Sequence, residues 1–324
     1  MLDLPTKTLG IESDITMYDP PLEFWLNKIR NKEYFAFCKQ LHGFWDGFCA
    51  AYKHDRTLGG MWNFKTHDKY IERLAASMAN YKKKKTPWNY NPLIYEGVIK
   101  MMLNLNSKPN NFFFGVSDNS FYRREEKVKH VNWVDRRQVR RKRRDMFTRK
   151  QRQEVMSLLL PEDYIPFDGT CWKSYVWYRE ITPFFELIKD MPVVLIGPPY
   201  FNDFHEKANL NHYDFREIDY SHASFKAEEI LGQTIVNHRK RYRNEPVMYL
   251  IVAGSMGSWL VNELHPIIGK QSFIIDIGRA FDVLYLDLVK EYNWVWLKKY
   301  GVHMWRYRRQ CEREQKLVQK SEEE

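Results

Sequence analysis

Two stretches in the last third of the chain carry the residue types that handle phosphate and charge. In IVAGSMGSWLVNEL (251–264), Ala253, Gly254, Ser255 and Gly257 set four small residues between a continuous apolar run and an amphipathic one. Small residues at such a junction let backbone N–H groups approach a diphosphate at a helix start. They would serve tight strand-to-helix packing equally well, and the spacing alone does not choose. In IIDIGRAFDVL (274–284), Asp276 lies inside an apolar run and Asp282 just past it, with Gly278 and Arg279 between them. A carboxylate in such a run is costly unless it is paired or hydrogen-bonded. Asp276 therefore either caps a neighbouring turn or faces a cleft, where it would bind ribose, a metal or a basic partner such as Arg279. Nearer the N-terminus, GFWDGF (43–48) sets Asp46 between aromatics and before Gly47, a turn that would present one carboxylate. His205, His212 and His222, with Asp203, Glu206, Asp214 and Asp219, form an imidazole- and acid-rich patch whose spacing matches no metal motif. These read as solvated loop residues, one of them a candidate base.

The elements that would position these groups share one design, a short apolar run rich in β-branched or aromatic residues that stops at glycine or another small residue. Four occur: NFFFGVS (111–117), ending in Gly115 and Ser117; PVVLIGPP (192–199), ending in Gly197; VMYLIVAGS (247–255); and SFIIDIGR (272–279). Continuous apolar runs of this length predict strands buried on both faces, hence a parallel sheet. Helices are predicted over 71–81, 93–105, 222–241 and 256–265, the last two giving a β-α-β-α-β order that places helices over both sheet faces. Residues 20–54 read as a helix followed by a short strand or turn around 43–47. The expected fold class is α/β, a Rossmann-like, mostly parallel sheet. In such sheets ligands sit beyond the carboxyl ends of the strands, so all four strand ends are candidates.

Composition narrows the partners. The chain of 324 residues has 44% hydrophobic content and a net charge of +10. Between 123 and 152 stand fourteen Lys or Arg against four acids, so this one segment carries the whole excess. Such a run is often only a solvated helix face. So dense a cluster, with Arg136, Arg137, Arg140, Arg141, Lys142, Arg143 and Arg144 at its centre and Phe121, Tyr122, Trp133 and Phe147 nearby, also suits a phosphate backbone and stacked bases. The four cysteines form no CxxC pair, the N-terminus has no secretory pattern, and no run approaches the roughly 18 apolar residues of a membrane span. A soluble, cytoplasmic protein is expected. Residues 1–285 read as one domain with a basic helical insertion at 121–157, and 286–324 as an aromatic and basic helical extension.

Taken in order, GFWDGF, FFFGVS, VVLIGP, IVAGSMGSWLVNEL and IIDIGRAFDVL resemble the segments of the GT-D-type glycosyltransferases of bacterial adhesin O-glycosylation and of phage and bacterial relatives. The resemblance spans about residues 30–285. It implies a transferase that moves a sugar from a nucleotide sugar, a UDP sugar in the first instance, to an acceptor hydroxyl. It also implies a donor site at Gly115, Ser117, Gly197, Ala253, Gly254, Ser255, Gly257, Gly278 and Arg279, with Asp46 and Asp276 catalytic. In the family an Asp-Gly-Glu segment is implicated in holding a divalent metal, Mn²⁺ or Mg²⁺. Asp46 matches its first carboxylate, but Phe48 stands in place of the Glu, and Arg279 replaces the family's Ser or His and would add positive charge near a leaving UDP. The basic segment points to nucleic acid as acceptor, such as DNA carrying a hydroxymethylated base flipped from the duplex. A glycan or glycoprotein acceptor is the alternative, and a non-catalytic nucleic-acid-binding protein is the reading from another class. A nicotinamide or methyl-donor enzyme would want its glycines after the first strand, and here they follow a late one.

Overall fold

The computed structural model of the chain describes residues 2–8, 15–40, 44–45, 47–49, 51, 68–85, 91–116, 156–177, 180–218, 225–243, 245–278 and 280–285. The basic cluster at 136–144, the tail beyond 285, Asp46, Ser117 and Arg279 lie outside these residues.

The four apolar runs are strands: β4 (Phe112–Val116), β6 (Val193–Gly197), β8 (Val247–Ile251) and β9 (Ser272–Asp276). They join β1 (Thr6–Thr8), β2 (Thr16–Tyr18), β3 (Ala36–Gln40), β5 (Phe167–Asp168) and β7 (Tyr213–Glu217) in one nine-stranded sheet of order β1-β2-β5-β4-β3-β9-β8-β6-β7. Every pairing is parallel except that of β1 with β2. The central strands β3, β4, β6, β8 and β9 are buried at every residue, as expected of mostly apolar strands covered on both faces, and this burial includes Lys39, Gln40, Ser272 and Asp276.

Helices cover the two faces. Against one lie α2 (Asp68–Lys85), α3 (Pro92–Leu103), α7 (Ala227–Arg241) and α8 (Ser255–Ile268), packed through residues such as Leu74, Val98, Ala227 and Leu260. The other face carries α1 (Leu22–Arg30), α4 (Cys171–Trp177), α5 (Thr182–Ile188) and α6 (Phe204–Ala208). In α1 the apolar residues Leu22, Trp25, Leu26 and Ile29 recur at helical spacing and are the buried ones. The high aromatic content goes into this layer: Trp25 packs within 6 Å of Phe35, Phe37, Phe113, Phe167 and Trp172. Helix α3 opens on Pro92, with the Asn91 side chain accepting the Leu93 N–H at 3.0 Å.

Three departures from the sequence reading bear on the site. Residues 20–54 contain not only α1 but β3, the central strand of the sheet. Around the expected strand or turn at 43–47, residues 44–45 and 47–49 are helical. The patch at 203–222, expected as loop, contributes α6 and the edge strand β7 among the described residues, with Asp219 and His222 outside them. Asp214 pairs with Arg216 at 2.7 Å and Arg241 at 3.3 Å, and the His205 ring stacks on Tyr213.

Candidate functional site

The connection from β3 runs to β4 on one side of the sheet and that from β6 to β7 on the other, so the ends of β3, β9 and β8 flank the point where the topology reverses. Register brings the strand ends level. Lys39 lies beside Gly115, Asp276 beside Ile251, and Ile251 beside Ile196, one residue before Gly197.

Beyond β8 the chain turns at Gly254, whose φ of 57° and ψ of −128° fall where a side chain is disfavoured. Helix α8 starts at the next residue. Its first turn is closed by the Met256 N–H to Ala253 O at 3.1 Å and the Gly257 N–H to Gly254 O at 3.3 Å. Position 257 must be glycine for a different reason. A Cβ there would stand 2.9 Å from Cγ and Oδ2 of Asp276, so the helix start rests directly on that carboxyl.

Asp276 is 2% exposed and ends β9. It caps its own turn, Oδ1 accepting the Gly278 N–H at 2.9 Å, and Oδ2 lies 3.4 Å from Ser258 Oγ. Of the two alternatives left by the sequence, turn cap and cleft residue, the cap is observed, and the basic group beside it is Lys39. Burial pushes the carboxyl up from 3.8 to about 6, against the opposing influence of Lys39, the Gly278 N–H and Ser258. Lys39 is itself 4% exposed, and its ammonium donates to Ile277 O at 2.8 Å. The Ser258 hydroxyl donates to Lys39 O at 2.5 Å. These contacts fasten β3, β9 and the start of α8 into one unit with one buried cation, one buried carboxyl and a row of small residues.

The structure thus gathers Ala253, Gly254, Gly257, Asp276 and Gly278 at one place, with Gly115 and Gly197 on the flanking strands. The flanking glycines also have packing reasons: a Cβ at Gly115 would lie 2.8 Å from Gly169 Cα, and one at Gly197 3.1 Å from Val252 Cβ. Phe48, at the family's Glu position, is a fully buried core residue. Among the described residues no group of three or more His, Cys, Asp or Glu is placed to hold a metal ion. Asp276 alone does not supply a divalent donor set. A groove of about 320 Å³ lies elsewhere, at the C-terminal end of α3, lined by Ile71, Lys100, Leu103 and Leu159 among others.

Sequence reasoning missed Lys39, Ser258 and Asp168. The first two had a signal. The run FAFCKQ (35–40) has the same design as the other strands but ends in polar residues, and Ser258 stands one turn after Gly254. Asp168 closes β5, with Lys7 at 2.6 Å and with the Thr170 N–H and hydroxyl each donating at 2.7 Å. Among the described residues no helix is long and apolar enough to cross a membrane.

No family model matches the sequence, and no curated protein matches it. Two solved structures are similar. One is described as the selenomethionine-substituted structure of domain of unknown function 1792, with 13% identity, a TM-score of 0.45, and coverage of 82% of this chain and 79% of that chain. The other is described as that domain having a distinct glycosyltransferase fold, with 12% identity, a TM-score of 0.44 and the same coverage.

Proposed function

We propose that the protein is a glycosyltransferase that binds a UDP sugar beyond the carboxyl ends of β3, β8 and β9. The observation that carries this reading is the start of α8. There a glycine-only turn presents helix N–H groups, and the helix is seated by Gly257 on buried Asp276 beside buried Lys39. Backbone N–H groups and the positive end of a helix suit a diphosphate. The order of motifs in the sequence supports the same reading independently.

In this mechanism the bond between the sugar C1 and the UDP oxygen breaks as one forms between C1 and an acceptor oxygen. The acceptor's hydroxyl proton goes to a base, and UDP leaves with the bonding pair. Ala253, Gly254 and Ser255 hold the diphosphate through the backbone, Gly257 seats the helix start on Asp276, and Gly278 shapes the neighbouring turn. Asp276 works from beneath, fixing the helix start rather than meeting the acceptor. Asp46 is assigned as base and Arg279 as a positive charge near the leaving group. A divalent ion, Mn²⁺ or Mg²⁺, would be held by Asp46 and would neutralise the donor diphosphate.

The acceptor is proposed to be nucleic acid, namely DNA with a hydroxymethylated base, because the fourteen cations of 123–152 suit a phosphate backbone. The test incubates the protein with a panel of UDP sugars, with and without Mn²⁺ or Mg²⁺ and with modified or plain DNA, and measures UDP release. Release stimulated by modified DNA is expected. Turnover with a glycan in place of DNA would move the acceptor assignment, and no turnover with any donor would overturn the proposal.

A further inference from the structure

Gln40 is the last residue of β3 and is 2% exposed, yet its side-chain Nε2 has no hydrogen-bond partner among the described residues. Buried amide donors are nearly always satisfied, so an unsatisfied one marks either a cost left uncompensated or a place where something else binds. Its position favours the second. Side chains alternate along a strand, and Ala36 and Cys38 of β3 pack into the core on the α8 face, so Gln40 projects to that face as well. Lys39, the residue before it, has its carbonyl capped by Ser258 of the first turn of α8. Strand β3 pairs with β9 at Ala36–Ile274 and Phe37–Ile275, and past the end of β9 a Cβ at Gly278 would lie 2.8 Å from Cε of Lys39, the neighbour of Gln40. The orphan donor therefore lies buried at the end of β3 on the α8 face, next to the turn after β9 and the start of α8.

Resting on the reading given above, we infer that Gln40 is a donor-binding residue whose carboxamide N–H donates to an oxygen of the UDP diphosphate. The helix start supplies backbone N–H groups to this oxygen-rich ligand from one side, and Gln40 supplies a neutral side-chain donor from the other. The nucleotide answers the unmet hydrogen bond in the folded protein.

The test compares wild type with Gln40→Leu and Gln40→Glu by calorimetric titration with UDP, uridine and inorganic pyrophosphate, alongside urea denaturation of each variant without ligand. Leucine removes the orphan donor at similar volume, so its denaturation midpoint is expected to equal or exceed that of wild type while UDP binding weakens about 10- to 100-fold. Pyrophosphate binding should weaken in parallel. A loss seen with uridine but not pyrophosphate would overturn the diphosphate assignment, placing the contact on the nucleoside. Gln40→Glu, which keeps shape and adds a negative charge, should weaken UDP at least as much, and it decides the matter if leucine does not fold. Wild-type binding of UDP with affinity retained within twofold in the folded variants would refute the inference and leave the proposed function standing. Failure of wild type to bind UDP would overturn both.

Discussion

Substituting Gly257 by alanine tests whether the start of α8 rests on Asp276. The new methyl would stand 2.9 Å from Cγ and Oδ2 and 3.0 Å from Oδ1 of the carboxyl. That is well inside the roughly 3.5–4.0 Å at which heavy atoms make favourable contact. The carboxyl has little room to retreat, being 2% exposed and held by the Gly278 N–H. Overpacking of this kind costs about 1–3 kcal/mol. Alanine's helix preference over glycine returns up to about 1 kcal/mol, and less in a first turn. The net expectation is a loss of about 1–2 kcal/mol. Gly232, in α7, provides the internal control, because nothing lies within 4 Å of a Cβ there. Gly232→Ala should stabilise by about 0.5–1 kcal/mol. Urea denaturation of the two variants should therefore give shifts of opposite sign, about 1.5–3 kcal/mol apart. Pairing Gly257→Ala with Asp276→Ser, which shortens the obstructing side chain, should recover part of the loss. Equal stability of the two single alanine variants would refute the seating of α8 on Asp276.

Two further perturbations act on the buried carboxyls Asp276 and Asp168. Because burial pushes Asp276 up from the ordinary 3.8 to about 6, the folded state keeps its proton to higher pH than the unfolded chain. Its contribution to stability is thus full below about pH 4, falls as pH rises to about 6 and is then constant, a loss of about 3 kcal/mol. Asp276→Asn should gain on wild type by that order between pH 4 and 7.5 in chemical denaturation, and a constant difference across the range would contradict the shift. His265 opposes this in wild type, burial and Lys108 pushing it down from 6.5 to about 4, so only the difference between the two proteins isolates Asp276. At the other side of the sheet, Asp168→Ala removes the partner of Lys7 and of the Thr170 N–H and should destabilise by about 2 kcal/mol. A change below 0.5 kcal/mol in thermal or urea unfolding would show the pair to be dispensable.

The parallel sheet was legible because strands buried on both faces are predominantly apolar, as β4, β6 and β8 are throughout and β9 is between Ser272 and Asp276. Strand β3 escaped because its run, FAFCKQ, continues into LHGFWDGF with aromatics spaced closely enough to suit a helix, while its buried Lys39 and Gln40 look like surface residues. Only their neighbours explain them: the Lys39 ammonium finds the Ile277 carbonyl, one residue past the end of a strand more than 230 positions away. The edge strand β7, YDFRE, was hidden for another reason. Half-buried at a sheet edge, it carries charges that pair within the fold, Asp214 with Arg216 and Arg241. At the site, the sequence picked out the glycines and Asp276 but not their relation. That Gly257 is small because Asp276 lies beneath it is a fact of packing between β9 and α8, which no spacing in the chain displays.

The most direct test of the donor site is amide hydrogen exchange of the full chain with and without UDP sugars. Slower exchange is expected at 253–258 and around 40 and 278, with α3 and β7 unchanged. Protection confined to the groove at the end of α3, or no protection with any UDP sugar at millimolar concentration, would contradict the placement of the donor at the start of α8.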